Sequence, residues 1–387
     1  MGRDDFTILK NDDVAYLDHA ATSLTPDSVI QDIQDYYYNY RSNVHRGVYS
    51  WSERATQAYE LSRKNIAEFI GADEQELVFT SGATASINMV VMAHLRHYIK
   101  ENDVILLSPI EHHANLIPWQ ILAKSAGAKI SYIKLNEDFS IDWDDFESKL
   151  DKAVLIAITQ CSNVLGVKFD IEKIASYGVD VLVDGTQMLS HEKVDVKKLG
   201  CAFYAFSAHK MYGPTGIGGL YIDKKLHDKL KPCFTGGGMV EMVSYEGASF
   251  QEMPALLEAG TPNIGGAIGF ASATRYIDSI GYSEIMAHEK SIMNYLLSSL
   301  EAFGLNTFSP MNNTVYSFEY PKVHAHDVAT LLGEKNVMVR AGHHCCMPLM
   351  RQLGVNALSR VSIGYYNHQG DIDRLILALE RVKKVML

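Results

Sequence analysis

Short apolar runs alternate with segments of helical periodicity through the first two thirds of the chain. The strand candidates are ELVFTSG, DVILLSP, KISYIKL, AVLIAITQ, VDVLVDG, CAFYAFS and GIGGLYID. Helix-length segments such as ATASINMVVMAHLRHYIK and NLIPWQILAKSAG lie between several of them. This alternation is typical of an α/β fold, and it predicts a large domain with a mostly parallel, seven-stranded sheet.

The last third of the chain has a different pattern. One long helical segment is expected at about residues 265–303, followed by strand-like NTVYSFEY, a helix in HDVATLLGEKN, strand-like VMVRAG and a terminal helix. These elements predict a smaller α+β domain that the N-terminal segment joins. We expect the large domain at residues 14–265 and the small domain at residues 1–13 and 266–387.

The composition is that of an ordinary globular protein of 387 residues, 47% hydrophobic and 21% charged. A net charge of −11 with scattered basic residues disfavours nucleic-acid binding, which needs a basic face. No apolar run approaches the roughly 20 residues of a membrane helix. The acidic start MGRDDFTILKNDD also lacks the apolar core of a signal peptide. We therefore expect a cytoplasmic protein without nucleic-acid or membrane partners.

Three polar segments follow predicted strands. TSGAT, residues 80–84, places a glycine and hydroxyl groups where a helix N-terminus can bind phosphate, although simple helix capping gives the same pattern. Asp184 ends a buried strand at the edge where α/β sheets bind ligands, and capping is an alternative there too. Lys210 lies between an apolar strand and a glycine-rich loop, and Ser207 and His209 beside it could hold a phosphate. A partly desolvated lysine can form a Schiff base.

The segment RAGHHCCMPL, residues 340–349, carries a thiol in a polar, histidine-rich turn. Cys345 is therefore a candidate low-pKa nucleophile. The odd count of five cysteines, and the wide spacing of all but the adjacent pair Cys345 and Cys346, argue against a disulfide framework. Four consecutive HHCC residues cannot easily surround a metal, so no metal site is predicted. His112 or His113, which follow another strand, could stack on a flat ring or transfer protons, and Arg360 could bind a substrate carboxylate.

Many ordered segments together resemble the cysteine desulfurases, specifically the SufS-like group of the class V aminotransferase family among the fold-type I pyridoxal-phosphate (PLP) enzymes. The matching segments are YLDHAATS, NVHRGVYSWSERATQAYE, EHHANLIPWQ, SNVLG, VLVDGTQ, FYAFSAHKMYGPTGIGGLY, EAGTPNIGGAIG, HAHDVATLL and RAGHHCCMPLM. They extend over nearly the whole chain. Neither a G-x-G-x-x-G after a strand nor a Walker A sequence competes with this resemblance.

The resemblance implies a role for each matching residue. Lys210 binds PLP as a Schiff base, Asp184 pairs with the pyridine nitrogen, and His112 stacks on the ring. The other implied cofactor ligands are Gln187 and Asn163 at the ring, Thr84, Ser207 and His209 at the phosphate, and Thr261 at the phosphate of a neighbouring subunit. The implied substrate-binding residues are Arg360 at the carboxylate, with Arg340 and His45 close to the substrate.

The resemblance also implies an activity and partners. L-cysteine loses its sulfur to Cys345 as a persulfide and leaves as alanine, and the sulfur passes to an acceptor protein of the SufE or SufU type for iron–sulfur cluster assembly. A homodimer with shared active sites is implied by Thr261. Attack on the substrate sulfur requires a thiolate, and we hypothesise that His343 or His344 lowers the pKa of Cys345.

The chain departs from the family pattern at three places. SGAT replaces RGTT near the phosphate, TQCSN replaces THVSN near the ring, and Cys346 replaces the usual alanine after the nucleophile. The second thiol could resolve a persulfide on Cys345 or simply fill space. Selenocysteine lyase, another class V aminotransferase or epimerase, and a non-catalytic sulfur-relay or scaffold protein remain alternatives, because fold alone does not separate them.

Overall fold

A computed structural model describes residues 2–11, 13–309 and 314–387. Its strands are β1 (Ala15–Tyr16), β2 (Leu77–Thr80), β3 (Val104–Leu107), β4 (Lys129–Tyr132), β5 (Ala153–Thr159), β6 (Val181–Asp184), β7 (Phe203–Ser207), β8 (Gly218–Ile222), β9 (Val240–Val243), β10 (Ala248–Phe250), β11 (Asn306–Thr307), β12 (Val315–Glu319), β13 (Val337–Met338), β14 (Arg340–Gly342) and β15 (Leu358–Ser362).

The α-helices are α1 (Thr7–Asn11), α2 (Asp27–Asp35), α3 (Ser50–Phe69), α4 (Ala83–Ala93), α5 (Ile117–Ala126), α6 (Trp143–Ser148), α7 (Ile171–Ala175), α8 (Val196–Leu199), α9 (Ile264–Ile280), α10 (Tyr282–Leu300), α11 (Ala325–Gly333), α12 (Met347–Leu353) and α13 (Gln369–Met386). Within the described ranges, no helix has both the length and the apolar character needed to cross a bilayer.

Seven strands form the large sheet in the order β2-β8-β7-β6-β5-β3-β4. Strands β3 to β7 pair in parallel, and β8 runs antiparallel to both of its neighbours, β2 and β7. Each strand lies within one of the seven apolar runs predicted from the sequence. The predicted α/β fold with a mostly parallel, seven-stranded sheet is therefore confirmed.

The central strands are apolar throughout because helices cover both faces of the sheet. On β5, Ile156 and Ile158 belong to one buried cluster, whereas Leu155 and Ala157 belong to another. Alternate side chains of a strand point to opposite faces. The unbroken run AVLIAIT thus supplies two cores at once, as expected of a buried parallel strand.

A second, four-stranded antiparallel sheet has the order β11-β12-β15-β14. Its apolar cluster includes side chains of α10, α11 and α13. The N-terminal segment joins this part of the chain, because β1 pairs in parallel with β13 and Asp18 forms a bridge to Ser362. The domain boundaries given above stay a prediction.

Three elements differ from the sequence-based prediction. The single helix expected at residues 265–303 is wrong, because Gly281 has a φ of 84° and divides it into α9 and α10. The segment VMVRAG forms two short strands, β13 and β14, that pair with different partners.

The helix predicted for residues 83–100 ends at Ala93 and continues only as a short 3-10 turn, Leu95–His97. The start of NTVYSFEY lies outside the described residues, and β12 begins at Val315.

The sheet brings polar residues from distant parts of the sequence to one edge. Strands β2, β3, β5, β6 and β7 share one direction, so their carboxyl ends meet at the same edge. Thr80, Asp184 and Ser207 are the last residues of their strands. Open α/β sheets bind ligands at this edge, so the fold itself determines where a site can form.

Close backbone packing beside this edge gives a testable prediction. A Cβ atom on Gly218 would lie 2.4 Å from the carbonyl oxygen of Phe206 and 2.6 Å from Cα of Gly82, and neither backbone atom can turn away. We expect Gly218→Ala to lower the free energy of unfolding by about 1–3 kcal/mol. Gly236→Ala is the matched control, because a Cβ there meets no atom within 4 Å. Denaturant unfolding that gives both variants equal stability would contradict this packing.

Candidate active site

One pocket of about 290 Å³ at the sheet edge is lined by all but two of the catalytic, cofactor-binding and substrate-binding residues predicted from the sequence. It combines residues from five strand ends, the N-terminal segment and the turn after β14. The predicted residues that line it are Thr84, His112, Asn163, Asp184, Gln187, Ser207, His209, Lys210, Arg340, Cys345 and Arg360. Thr261 and His45 lie elsewhere.

One end of this Lys210 pocket suits an anion. A second cavity of about 250 Å³ shares Ala83, Thr84, Ser207 and His209 with it and lies at the start of α4. The first N–H groups of a helix have no partners within the helix and favour negative charge. One of them, the Ala83 N–H, donates to the Ser207 hydroxyl at 2.8 Å. Desolvation, with the nearby Lys210 charge, lowers the pKa of His209 to about 4, so this ring is neutral.

Lys210 is the basic group at the centre of the pocket. Part of its side chain faces the pocket, yet desolvation, and next the Arg360 charge, lowers the pKa of its amine to about 7. Its Nζ donates to the carbonyl oxygen of Ala20, which also accepts from Gln187 Nε2 at 2.9 Å. A substantial share of neutral amine is therefore present at neutral pH, as a lysine nucleophile requires.

Asp184 supplies a buried carboxylate beside this lysine. Its Oδ1 accepts from the backbone N–H of Thr186 at 3.1 Å, and its side chain lines the pocket. The Thr186 hydroxyl also lines the pocket, and it is buried without a hydrogen-bond partner among the described residues. A polar ligand in the pocket would satisfy this orphaned hydroxyl.

His112 forms part of the pocket wall. Its Nδ1 accepts from the Ala114 N–H at 3.1 Å, and burial lowers the pKa of the ring. A neutral imidazole held in this way presents a flat, uncharged face. The preceding residue, Glu111, was not singled out from the sequence. It accepts from the hydroxyl of Ser108 at 2.5 Å and the N–H of Thr159 at 3.0 Å, and burial raises its pKa to about 8.

Two arginines converge on one carboxylate. Arg360 is only 2% exposed, and its guanidinium donates to the Asn163 carbonyl at 3.0 Å and to Asp18 Oδ1 at 3.1 Å. Arg340 pairs with Asp18 Oδ2 at 2.9 Å. The Nε of Arg360 is buried without a partner among the described residues, so one donor of the guanidinium is left for an anion.

Asp18 was missed as a site residue, although it lies in the matching segment YLDHAATS. A carboxylate directly after an apolar stretch is the same signal that identified Asp184. The signal was weaker here because β1 has only two residues.

The nucleophile candidate lies on a tight turn. Cys345 is exposed, its φ is 55°, and its carbonyl oxygen accepts from the His113 N–H at 2.8 Å. Burial, with Arg360 next, lowers the pKa of His344 to about 3, so His344 carries no charge that could favour a thiolate. The neutral His344 ring argues against the part of our hypothesis in which His344 lowers the pKa of the Cys345 thiol. Two positively charged side chains, Arg340 and Arg360, line the same pocket as Cys345.

Gln160 and Cys161, which depart from the family pattern in the segment TQCSN, are both buried. Cys161 lines the pocket, but burial raises the pKa of its thiol to about 12. Gln160 accepts from the Tyr204 hydroxyl at 2.6 Å and is buried. Both side chains therefore act as packing and hydrogen-bonding groups rather than as reactive ones.

Thr261 and His45 line a separate cavity of about 650 Å³. Its lining includes Glu60, whose Oε1 lies 2.7 Å from His45 Nε2, and an ion pair of the buried Arg63 with the partly buried Glu258 at 2.7 Å. The single chain thus does not bring Thr261 or His45 into the Lys210 pocket.

The donor set of the Lys210 pocket fits pyridoxal phosphate. It offers an anion-binding helix N-terminus, an amine with a pKa of about 7, a buried carboxylate, a flat neutral ring and an unpartnered hydroxyl. Each of these groups matches one part of the cofactor.

Known proteins resemble this chain over nearly its whole length. Residues 15–375 match the family model described as aminotransferase class-V. A probable cysteine desulfurase of Halalkalibacterium halodurans is 43% identical over 379 residues, which are 96% of this chain and 93% of that protein. A probable cysteine desulfurase of Pyrococcus abyssi is 42% identical over 96% of this chain and 95% of its own length.

Solved structures of cysteine desulfurases resemble the fold of this chain. The apo cysteine desulfurase of Thermococcus onnurineus NA1 superposes with a TM-score of 0.95 at 41% identity, over 99% of this chain and 97% of that one. The cysteine desulfurase CsdA of Escherichia coli gives a TM-score of 0.94 at 36% identity, over 100% of this chain and 98% of that one. The chain therefore belongs to the class V aminotransferase family and, within it, to the group of the cysteine desulfurases.

Proposed function

We propose that this chain is a pyridoxal-phosphate-dependent enzyme that removes sulfur from L-cysteine and leaves L-alanine, with a persulfide on Cys345. The observation that carries the proposal is a single pocket lined by Lys210, Asp184, Arg360 and the exposed Cys345. The relatives that are named cysteine desulfurases support the same reaction.

The cofactor would be held by side chains in the roles that the family pattern gives them. When bound, PLP supplies an electron sink that stabilises negative charge at the Cα of an amino acid. The holding residues would be Lys210 for the covalent link, Asp184 for the pyridine nitrogen, Gln187 and Asn163 for the ring, His112 for stacking, and Thr84, Ser207 and His209 for the phosphate.

Lys210 would also move the proton at the Cα of the substrate, through its Nζ. This role needs an amine that accepts and returns a proton near neutral pH. The pKa of about 7 supports it, because an ordinary lysine amine would hold its proton.

Arg360 would bind the substrate carboxylate. Its two terminal nitrogens are already oriented by Asp18 and the Asn163 carbonyl, while its Nε is unpartnered among the described residues. Orientation before binding lowers the entropy that must be lost on binding. Arg340, which Asp18 also holds, would lie close to the same substrate end.

Cys345 would act as the nucleophile. Its thiolate attacks the sulfur of the bound cysteine, so a new S–S bond forms while the Cβ–S bond of the substrate breaks. The electron pair of the broken bond stays with the three-carbon fragment, which becomes alanine after protonation. The exposure of Cys345 supports onward transfer to an acceptor protein, which we propose is of the SufE or SufU type and serves iron–sulfur cluster assembly in the cytoplasm.

We also propose a homodimer with shared active sites. Thr261 and His45 line one cavity that lies apart from the Lys210 pocket, so a role for them at phosphate and substrate requires a second copy of the chain. Sedimentation equilibrium should give twice the chain mass, and a monomer that is active would contradict shared sites.

Alanine formation tests the proposed reaction. We expect purified holoenzyme to release alanine from L-cysteine and Cys345→Ser to lose about two orders of magnitude or more of this rate, because a hydroxyl is a far weaker nucleophile toward sulfur. Cys233→Ser is the matched control, since Cys233 is partly exposed but does not line the pocket. Equal alanine formation by wild type and Cys345→Ser would show that Cys345 does not accept the sulfur.

The pH dependence of Lys210 gives a second prediction. The neutral amine reacts, so in the PLP-free protein the rate of PLP attachment to Lys210 should rise with pH and level off just above its pKa of about 7. Borohydride trapping and peptide mapping measure this rate, and surface lysines in the same samples serve as controls, since their labelling should keep rising toward about pH 10. A Lys210 rate that also rises to pH 10 would contradict the desolvated amine.

A further inference from the structure

The turn that carries Cys345 lies directly against the turn that carries His112. Four hydrogen bonds join the two turns. The His113 N–H donates to the Cys345 carbonyl at 2.8 Å, and the Met347 N–H donates to His113 Nε2 at 3.1 Å. Between these two, the thiol of Cys346 donates to the carbonyl oxygens of Glu111 at 3.2 Å and Ile110 at 3.4 Å.

The receiving turn is itself held firmly. The Glu111 carboxylate accepts from Ser108 at 2.5 Å and from Asn115 Nδ2 at 2.7 Å, and it reaches the end of β5 through the Thr159 N–H at 3.0 Å. The Trp119 indole N–H then donates to Asn115 at 2.9 Å. This network ties the receiving turn to two neighbouring strand ends, so a group bonded to the turn is fixed relative to the sheet.

The nucleophile turn needs such support. His344 and Cys345 have φ angles of 51° and 55°, and two successive non-glycine residues in the left-handed region are unfavourable. Such a conformation persists only where surrounding contacts determine it. Asn163 Nδ2, which donates to the His344 carbonyl at 2.8 Å, is one contact, and the buried thiol of Cys346 is another.

Cys346 is poorly suited to accept sulfur. It is fully buried, it does not line the Lys210 pocket, and its Sγ is directed at two carbonyl oxygens. Burial, with the Glu111 charge next, raises the pKa of the thiol to about 12, so the nucleophilic thiolate is not formed near neutral pH.

We propose that Cys346 is a positioning residue, whose buried thiol fastens the turn of Cys345 to the turn of His112 through the carbonyl oxygens of Ile110 and Glu111. The distance between Cys345 and His112, which forms part of the pocket wall, is then fixed. The catalytic part of this inference rests on the proposed function, whereas the structural part does not.

Three variants separate the thiol's hydrogen bonds from its volume. Cys346→Ala removes the hydrogen-bond donor, and Cys346→Ser keeps a donor. Cys346→Val fills the space of the thiol without a donor, so it replaces the alanine variant in the comparison if that variant does not fold. Cys201→Ala is the matched control, because Cys201 is about as buried, its Sγ lies 3.8 Å from the Val196 carbonyl oxygen, and neither residue lines the Lys210 pocket.

Hydrogen–deuterium exchange of the holoenzyme without substrate is the first readout. Removing the donor should accelerate exchange about fivefold or more in peptides covering residues 108–116 and 340–350, because one hydrogen bond contributes roughly that factor. The serine variant should stay within about twofold of wild type, and Cys201→Ala should leave both peptides unchanged. Acceleration spread evenly over the large sheet, or none at all in the alanine and valine variants, would overturn the proposal.

Steady-state kinetics is the second readout. The alanine and valine variants should lose about fivefold or more in kcat with little change in KM for L-cysteine, and the serine variant should recover kcat. Finding the transferred sulfur on Cys346 would also overturn the proposal. If wild type releases no alanine, the proposed function fails, yet the exchange comparison still decides whether Cys346 fastens the two turns.

Discussion

The pairing of Asp18 with Arg340 and Arg360 is the interaction on which the rest of the site depends. Arg360 is buried beside Lys210, and two or three positive groups in one desolvated pocket would repel each other without a counter-charge. Asp184 lies near Lys210, and Asp18 supplies the counter-charge at the two arginines from the N-terminal segment while its backbone bridges Ser362 of β15. One carboxylate therefore joins the small sheet to the pocket and makes the burial of Arg360 possible.

Burial also distinguishes Cys345 from most of the other cysteines. Cys161, Cys201 and Cys346 are buried, and desolvation raises the pKa of each thiol to about 12. Cys345 alone combines exposure with a position in the Lys210 pocket, among the described residues. The role proposed for Cys345 thus rests on burial, which sets apart Cys161, Cys201 and Cys346, and on position, which sets apart Cys233.

The sequence predicted the large sheet well, because strands buried on both faces leave continuous apolar runs, and residues at their ends, such as Asp184 and Ser207, are placed by the parallel arrangement. Local pattern could not predict the break at Gly281, since apolar periodicity continues on both sides of it. Asp18 and Glu111 were missed because their importance comes from partners distant in sequence, Arg360 and Thr159. Long-range contacts of this kind appear only once the chain is folded.

The most direct test is to locate the sulfur after a single turnover of the holoenzyme with isotopically labelled L-cysteine. Fragmentation of the peptide that contains both Cys345 and Cys346 assigns the added sulfur to one residue. We predict that the label lies on Cys345 in an amount equal to the alanine released. Alanine released without label on Cys345, or label on a different cysteine, would contradict the account.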